Sequence, residues 1–213
     1  MSTLNKIWLV LILGAWCGYG RCEDPTELCL ESLEIPSPCL VSSHCAYLQP
    51  RRIVIVTTNN RQDRLKEQDL FSKALAKHLR QGQRFDVVIS REKMCRDKLP
   101  MRRGAFDEQR LLALSRAYNV DAVLFCELEQ ISAYEPMQLQ MSMLLVDVGE
   151  AVSLASATTT VDQRPPGMHQ AYVIFAGQDC DQFTTDTHLN SPSLLIDFAA
   201  GLCANGLLSI WSK

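Results

Sequence analysis

The chain is 213 residues long, 47% hydrophobic and 21% charged, with a formal net charge of −3. That balance excludes wholesale disorder, and the length allows one domain with a proper core, with or without a short tail. The one membrane-like run lies at the amino terminus and falls short of the ~20 apolar residues that span a bilayer.

That run sets the cellular context. Lys6 and the amino terminus form a thin positive region, and Ile7 to Ala15 form an apolar region of nine residues, the proportions of a secretory signal. Gly18 and Gly20 make a small-x-small cleavage pattern, so residues 1–20 are expected to leave and Arg21 to begin the mature chain. Cys17 and Cys22 are the candidates for a lipid anchor, with bulky Trp16 and charged Arg21 in front of them opposing it. Nine cysteines also fit export, where disulfides persist. Cleavage after Gly20 leaves eight, an even number whose pairing the spacing does not define.

Residues 21–50 hold Pro25, Pro36, Pro38 and Pro50 and no sustained period, which reads as an extended leader. Its four cysteines, Cys22, Cys29, Cys39 and Cys45, are the better disulfide candidates, while Cys126 and Cys203 fall in apolar patterns typical of buried thiols. The short pair spacing of a zinc site is missing there.

From Arg51 a domain begins. "RRIVIVTT" is a short, β-branched, continuously apolar strand of the kind covered on both faces. A helix follows, with Leu70, Phe71, Ala74, Leu75 and Leu79 on one stripe and Gly82 past its end, then the strand "FDVVIS". The next helix has Asp107 as N-cap, Glu108 in its first turn and a staple of Phe106 on Leu111. Leu111, Leu114 and Tyr118 line one face, and Asn119 is placed for a left-handed end.

Three strands then form a meander. "VDAVLFCELEQISAY" leads into "MQLQMSMLLVDV", where Leu139, Met141, Met143 and Leu145 alternate with Gln138, Gln140 and Ser142. Met141 and Met143 belong to the core, whereas Met137 is expected exposed at the turn. Gly149 and Glu150 turn the chain into "AVSLASATTTV". Residues 162–190 read as a long irregular connection, a class of loop that is usually functional. Ser191 caps the last helix, with Pro192 at its first position and a stripe of Leu194, Leu195, Phe198, Ala199 and Leu202. The expected fold is a single α/β domain over 51–213, ordered β-α-β-α-β-β-β-α, with a mixed sheet ending in an antiparallel meander.

Charge is divided unevenly. Residues 51–118 hold 17 Lys or Arg against 8 Asp or Glu, and the rest of the chain holds 4 against 16. Such a basic region suits a protein partner, an anionic polymer or a membrane surface; for an exported chain nucleic acid is not expected. Arg102 and Arg103 are its most concentrated pair on a loop. With Tyr172, Phe175 and Phe183 of the long connection they are the candidate partner-binding residues.

Catalytic motifs are missing: there is no glycine-rich phosphate loop, no H-E-x-x-H and no G-x-S-x-G. No cofactor, metal or catalytic residue is therefore expected. The rival enzyme reading would use Cys95, beside Arg96 and Lys98, or Asp179, Asp181, Asp186 and His188 as metal ligands. His78, next to the first helix's stripe, reads as a helix-flank residue.

The order of elements resembles the TolB amino-terminal-domain-like group, which includes curli-secretion lipoproteins and lipoprotein activators of penicillin-binding proteins. Val120, Asp121, Ala122, Val123 and Leu124 match its first motif, with Glu127 near a customary glycine. Asp147, Val148, Gly149 and Val152 match its second, one residue short and without the threonine. The resemblance covers residues 51–161 and the last helix. It implies a non-enzymatic accessory protein of the periplasm or cell envelope that binds a protein partner in assembly or maintenance. An oligomeric structural subunit of an envelope assembly is the third alternative.

Overall fold

The computed structural model describes residues 40–59, 64–92, 94–95, 101–102, 105–132, 134–178 and 191–211. All of them lie in the larger of two units, Ile35–Lys213. Along the chain come β1 (Leu40–Val41), a 3₁₀ turn (Ser43–Ala46), β2 (Arg52–Asn59), α1 (Leu65–Gln81), β3 (Asp86–Ile89) and β4 (Met94–Cys95). Next are β5 (Met101–Arg102), β6 (Ala105–Phe106), α2 (Glu108–Tyr118), β7 (Ala122–Ser132), β8 (Gln138–Asp147) and β9 (Ser153–Asp162). Two helices close the chain, α3 (Pro166–Gln178) and α4 (Pro192–Ser209). The main sheet runs β1-β9-β8-β7-β2-β3, with β4 on the far end of β2 and β5–β6 a separate ribbon.

β2 explains the layering. Ile53, Val54, Ile55 and Val56 are each at most 1% exposed, so the strand must be covered from both sides. Parallel β3 and β7 flank it. The path from β2 through α1 steps to one side, and the path from β3 through α2 steps back past β2 to the other. Parallel crossovers are right-handed, so opposite steps put their helices on opposite faces. Accordingly Leu111 and Leu114 of α2 pack on Val54, Val56, Val123, Phe125, Val146 and Val148.

α1 and α4 pack together across the other face. Cys203 of α4 reaches Met141 of β8, Sγ to Sδ at 3.1 Å. α4 is long and apolar enough to cross a membrane by length and composition, but here Leu195, Ile196, Phe198, Ala199 and Leu202 are core.

Asp121 ties the strand starts. Its Oδ2 accepts the Arg51 and Arg52 backbone N–H groups, each at 3.0 Å, and its carbonyl accepts from Val148 at 2.9 Å. α2 ends as its sequence demands: the Asp107 carboxylate accepts from Arg110 N, and Asn119 takes a left-handed φ of 52°. Leu139, Met141, Met143 and Leu145 are buried in the antiparallel β7–β8–β9 meander, as expected.

Five expectations change. The stretch 162–190 is not wholly irregular, because Pro166 opens the thirteen-residue α3. Its buried Ala171, Tyr172 and Ala176 are accompanied by half-buried Val173, Ile174 and Phe175, so no single stripe announces the helix. The fold also starts before Arg51: Leu40 and Val41 pair with Ser156 and Ala155, and buried Cys45 donates its thiol to the Leu154 carbonyl. Leu70 faces solvent at 45% exposure while Ala76 is buried, a small rotation of the α1 stripe. Met137 is fully buried rather than exposed, its N–H held by the Gln163 side chain at 3.2 Å. Ser191 does occupy the N-cap of α4, but its hydroxyl meets Ser193 Oγ instead of a helix N–H.

Asp197 joins α4 to α1 through two side chains. Asp197 Oδ1 accepts from His78 Nε2 at 2.9 Å, and Oδ2 accepts from Lys77 Nζ at 3.4 Å. The imidazole packs over Gly201, 3.5 Å from where a Cβ would stand, an ordinary van der Waals distance. The His78 hydrogen bond, more than the lysine charge, holds the Asp197 carboxyl below its ordinary 3.8. A depressed carboxyl contributes stability above its unfolded pKa and loses it as pH falls through the folded one. Asp197→Asn is expected to cost about 1–2 kcal/mol at neutral pH. Urea melts should find the difference from wild type shrinking below pH 3.8.

Candidate functional site

The steps to β3 and back to β7 diverge at β2, making its carboxyl end the sheet's switch point, where open α/β sheets place their ligand crevice. Two polar side chains meet there. Thr58 Oγ1 donates to the Cys126 carbonyl at 3.3 Å and to Glu127 Oε2 at 3.4 Å. Glu127 is only 6% exposed, and Thr57 and Thr58 are buried beside it.

β7 then bulges. Leu128 pairs with Met141 and Gln130 with Gln140, leaving Glu129 as the extra residue. Bulges re-aim side chains near functional sites. Here Glu129 turns its carboxylate to Gln140 Nε2 (2.9 Å) and its carbonyl to Arg64 Nη1 (3.1 Å).

Among the described residues, α2 packs on the first half of its face. Further along the meander the same face continues as rows of polar residues. Glu127, Ser142 and Thr158 lie side by side across β7, β8 and β9, then Gln140 beside Thr160, then Gln138 beside Asp162. Gln138 Nε2 donates to Asp162 Oδ2 at 3.2 Å, and Arg164 clamps the same carboxylate through both Nε and Nη2. The Arg164 hydrogen bonds hold the Asp162 carboxyl below its usual range. Thr158 and Thr160 are exposed, and Ser142, Gln140 and Gln138 are half-buried. Anchored at one end by a packed core, this is a firm surface of alternating amide, hydroxyl and carboxylate groups.

Such groups bind by hydrogen bonds. The nearest nucleophile, the Cys126 thiol, is pushed up to about 12, burial outweighing the hydrogen bond with Thr57, so it is inert at neutral pH. Among the described residues no group of three or more His, Cys, Asp or Glu gathers as a metal site.

The structure separates the residues singled out from sequence. Tyr172 is core, not contact surface: it is 1% exposed, packs edge-on against Phe198 at 5.5 Å, and burial raises its hydroxyl to about 12. Phe175 leans on Phe198 (5.3 Å) and His78 (6.4 Å) and is half-buried. Arg102 belongs to the β5–β6 ribbon, opposite Ala105. Cys95 lies in β4, paired with Asn59. Arg103, Phe183, Cys17, Cys22 and the segment Asp179 to His188 lie outside the described residues.

The sequence marked Glu127 only as standing near a customary glycine and Gln140 only as part of an alternating strand, and assigned neither these nor Glu129 or Thr58 to a site. One signal was present: an acid inside "LFCELEQ", within a strand otherwise apolar on both faces.

No family model matches the chain, and no curated protein matches it. Solved structures similar to it include the PelC dodecamer from Paraburkholderia phytofirmans, at 17% identity and a TM-score of 0.42, covering 63% of this chain and 89% of that one. Lipoprotein GNA1162 from Neisseria meningitidis has 15% identity and a TM-score of 0.43, covering 61% and 97%. The hypothetical protein CT253 from Chlamydia trachomatis has 8% identity and a TM-score of 0.45, covering 76% and 99%. None of the three is named as a TolB-domain protein.

Thr58→Val keeps the shape of the residue but removes the hydroxyl that serves Glu127 and the Cys126 carbonyl. Chemical denaturation is expected to show a loss of about 1–3 kcal/mol.

Proposed function

We propose that this is an exported, non-enzymatic accessory protein of the cell envelope, a divergent member of the TolB amino-terminal-domain-like group, which docks a protein partner. The observation that carries the docking reading is the polar half of the sheet face beyond α2, where Thr158 and Thr160 are exposed. α2 packs on one end of the face, and the rest presents Ser142, Gln140, Gln138, Thr158 and Thr160 on rigid strands. Polar side chains held by a scaffold lose little entropy when they bind, which favours a specific contact. Arg102 and Arg103 add positive charge in the sequence suited to an acidic partner surface.

Export is supported by the nine-residue apolar run from Ile7 to Ala15. Periplasmic release and a lipid anchor at Cys17 or Cys22 are the two forms it takes. The intact mass of the protein purified from its native host distinguishes them: a chain beginning at Arg21 is expected, and an uncut Met1 would contradict export.

The partner surface is tested on that same protein. A Gln138→Ala, Gln140→Ala variant and an Arg102→Glu, Arg103→Glu variant should each weaken crosslinking to envelope proteins at least tenfold, with far-ultraviolet circular dichroism unchanged. Crosslinking that neither variant changes would overturn the docking reading.

A further inference from the structure

We infer that the outward face of α1 lies against an anionic lipid surface, through a line of lysines around one leucine. At 3.6 residues per turn, Lys66, Leu70, Lys73 and Lys77 fall within about 60° of one another on the helix. All four are exposed. The line is about 17 Å long. It rides on a firm base, because Phe71, Leu75 and Leu79 on the inner side of α1 are buried in the core.

This placement of charge works against the helix itself. Lys66 stands in the first turn, at the positive end of the helix dipole. Lys73 and Lys77 are four residues apart, a like-charge pair that costs a helix stability. Among the described residues neither Lys66 nor Lys73 has an ion-pair or hydrogen-bond partner. Lys77 shares Asp197 with His78, yet its side chain stays 56% exposed. Arg80 turns its guanidinium to the Val87 carbonyl instead. The helix's two acids, Glu67 and Asp69, are half-buried on its flanks, outside the line. An anionic surface laid over the line offsets both costs.

Lipid headgroups match the line better than the carboxylates of a folded partner do. An ammonium is a point charge on a flexible stem, without the planar fork by which arginine fixes a carboxylate in one orientation. That suits phosphates moving in a fluid plane. Leu70, in the middle of the line, gains nothing from an acidic protein surface. At a bilayer it enters the boundary between headgroups and acyl chains while the lysines around it reach the phosphates. α1 and α2 lie on opposite faces of the sheet, so this orientation turns the polar rows of the meander away from the lipid. Which membrane the chain meets rests on the export reading; the binding itself does not.

The test is acetylation of lysines in the protein from its native host, read by mass spectrometry in the presence of vesicles. The vesicles are phosphatidylcholine alone, or phosphatidylcholine with about a quarter phosphatidylglycerol. At low ionic strength Lys66, Lys73 and Lys77 should react about fivefold or more slowly on the anionic vesicles. On the neutral ones they should react at their free rate, whether the chain is released or anchored. Lys66→Gln with Lys73→Gln should return Lys77 to near its free rate with the thermal midpoint unchanged, and Leu70→Ser should cut the protection about twofold or more. None of these outcomes depends on where the intact mass begins, so failure here and failure of the export reading are told apart. Equal rates on the two kinds of vesicle, or Lys77 protection that survives the double variant, would overturn the inference. So would polyglutamate that protects the three lysines as well as anionic vesicles do, with Leu70→Ser without effect.

Discussion

The burial of β2 on both faces is the constraint from which the rest of this structure follows. Ile53, Val54, Ile55 and Val56 are out of water, and each contributes about 1.5–3 kcal/mol only while something covers it. A strand of that kind needs parallel neighbours and helices above and below. The two right-handed crossovers deliver both, because they leave β2 in opposite directions. Ion pairs play a lesser part. Arg52 with Asp86 is largely exposed at 3.2 Å, and such surface pairs contribute about 0–1 kcal/mol. The Asp197 contact with His78 does more, since it fixes α4 against α1 in a partly buried setting.

The same constraint weakens along the sheet. At β2 and the first half of β7 both faces are covered. Beyond the Glu129 bulge, among the described residues, helices pack on the α4 side, and the other side turns polar one strand at a time. An antiparallel meander tolerates water on one face, which a parallel strand in this position does not. The surface proposed for docking lies in that weaker half. The packed core and the polar half of the sheet are therefore two ends of one gradient of coverage.

How much of this was legible depended on whether a local signal was complete. Helix α2 had every sign at once: Asp107, the Phe106–Leu111 staple and left-handed Asn119, and all appear in the structure. The alternation of β8 was equally clear, because polar and apolar residues strictly alternate from Gln138 to Met143. Helix α3 was hidden because it is apolar on more than one side and opens at a proline pair that reads as a turn. Tyr172 was taken for a contact residue because an aromatic in a supposed loop has nowhere to hide, and the helix provides that place. β1 was missed for a different reason: two residues carry no period, and only their partner in β9 defines them. The candidate site was the least legible part, since Thr58, Glu127 and Gln140 are brought together by register, not by sequence proximity.

Amide hydrogen exchange along the exported protein tests this gradient most directly. The account predicts that peptides covering Ile53–Val56 and Val123–Phe125 exchange slowest, opening only with global unfolding. Peptides covering Thr158–Thr160 should exchange fastest among the sheet strands. Uniform protection across the sheet, or faster exchange at β2 than at β9, would contradict it.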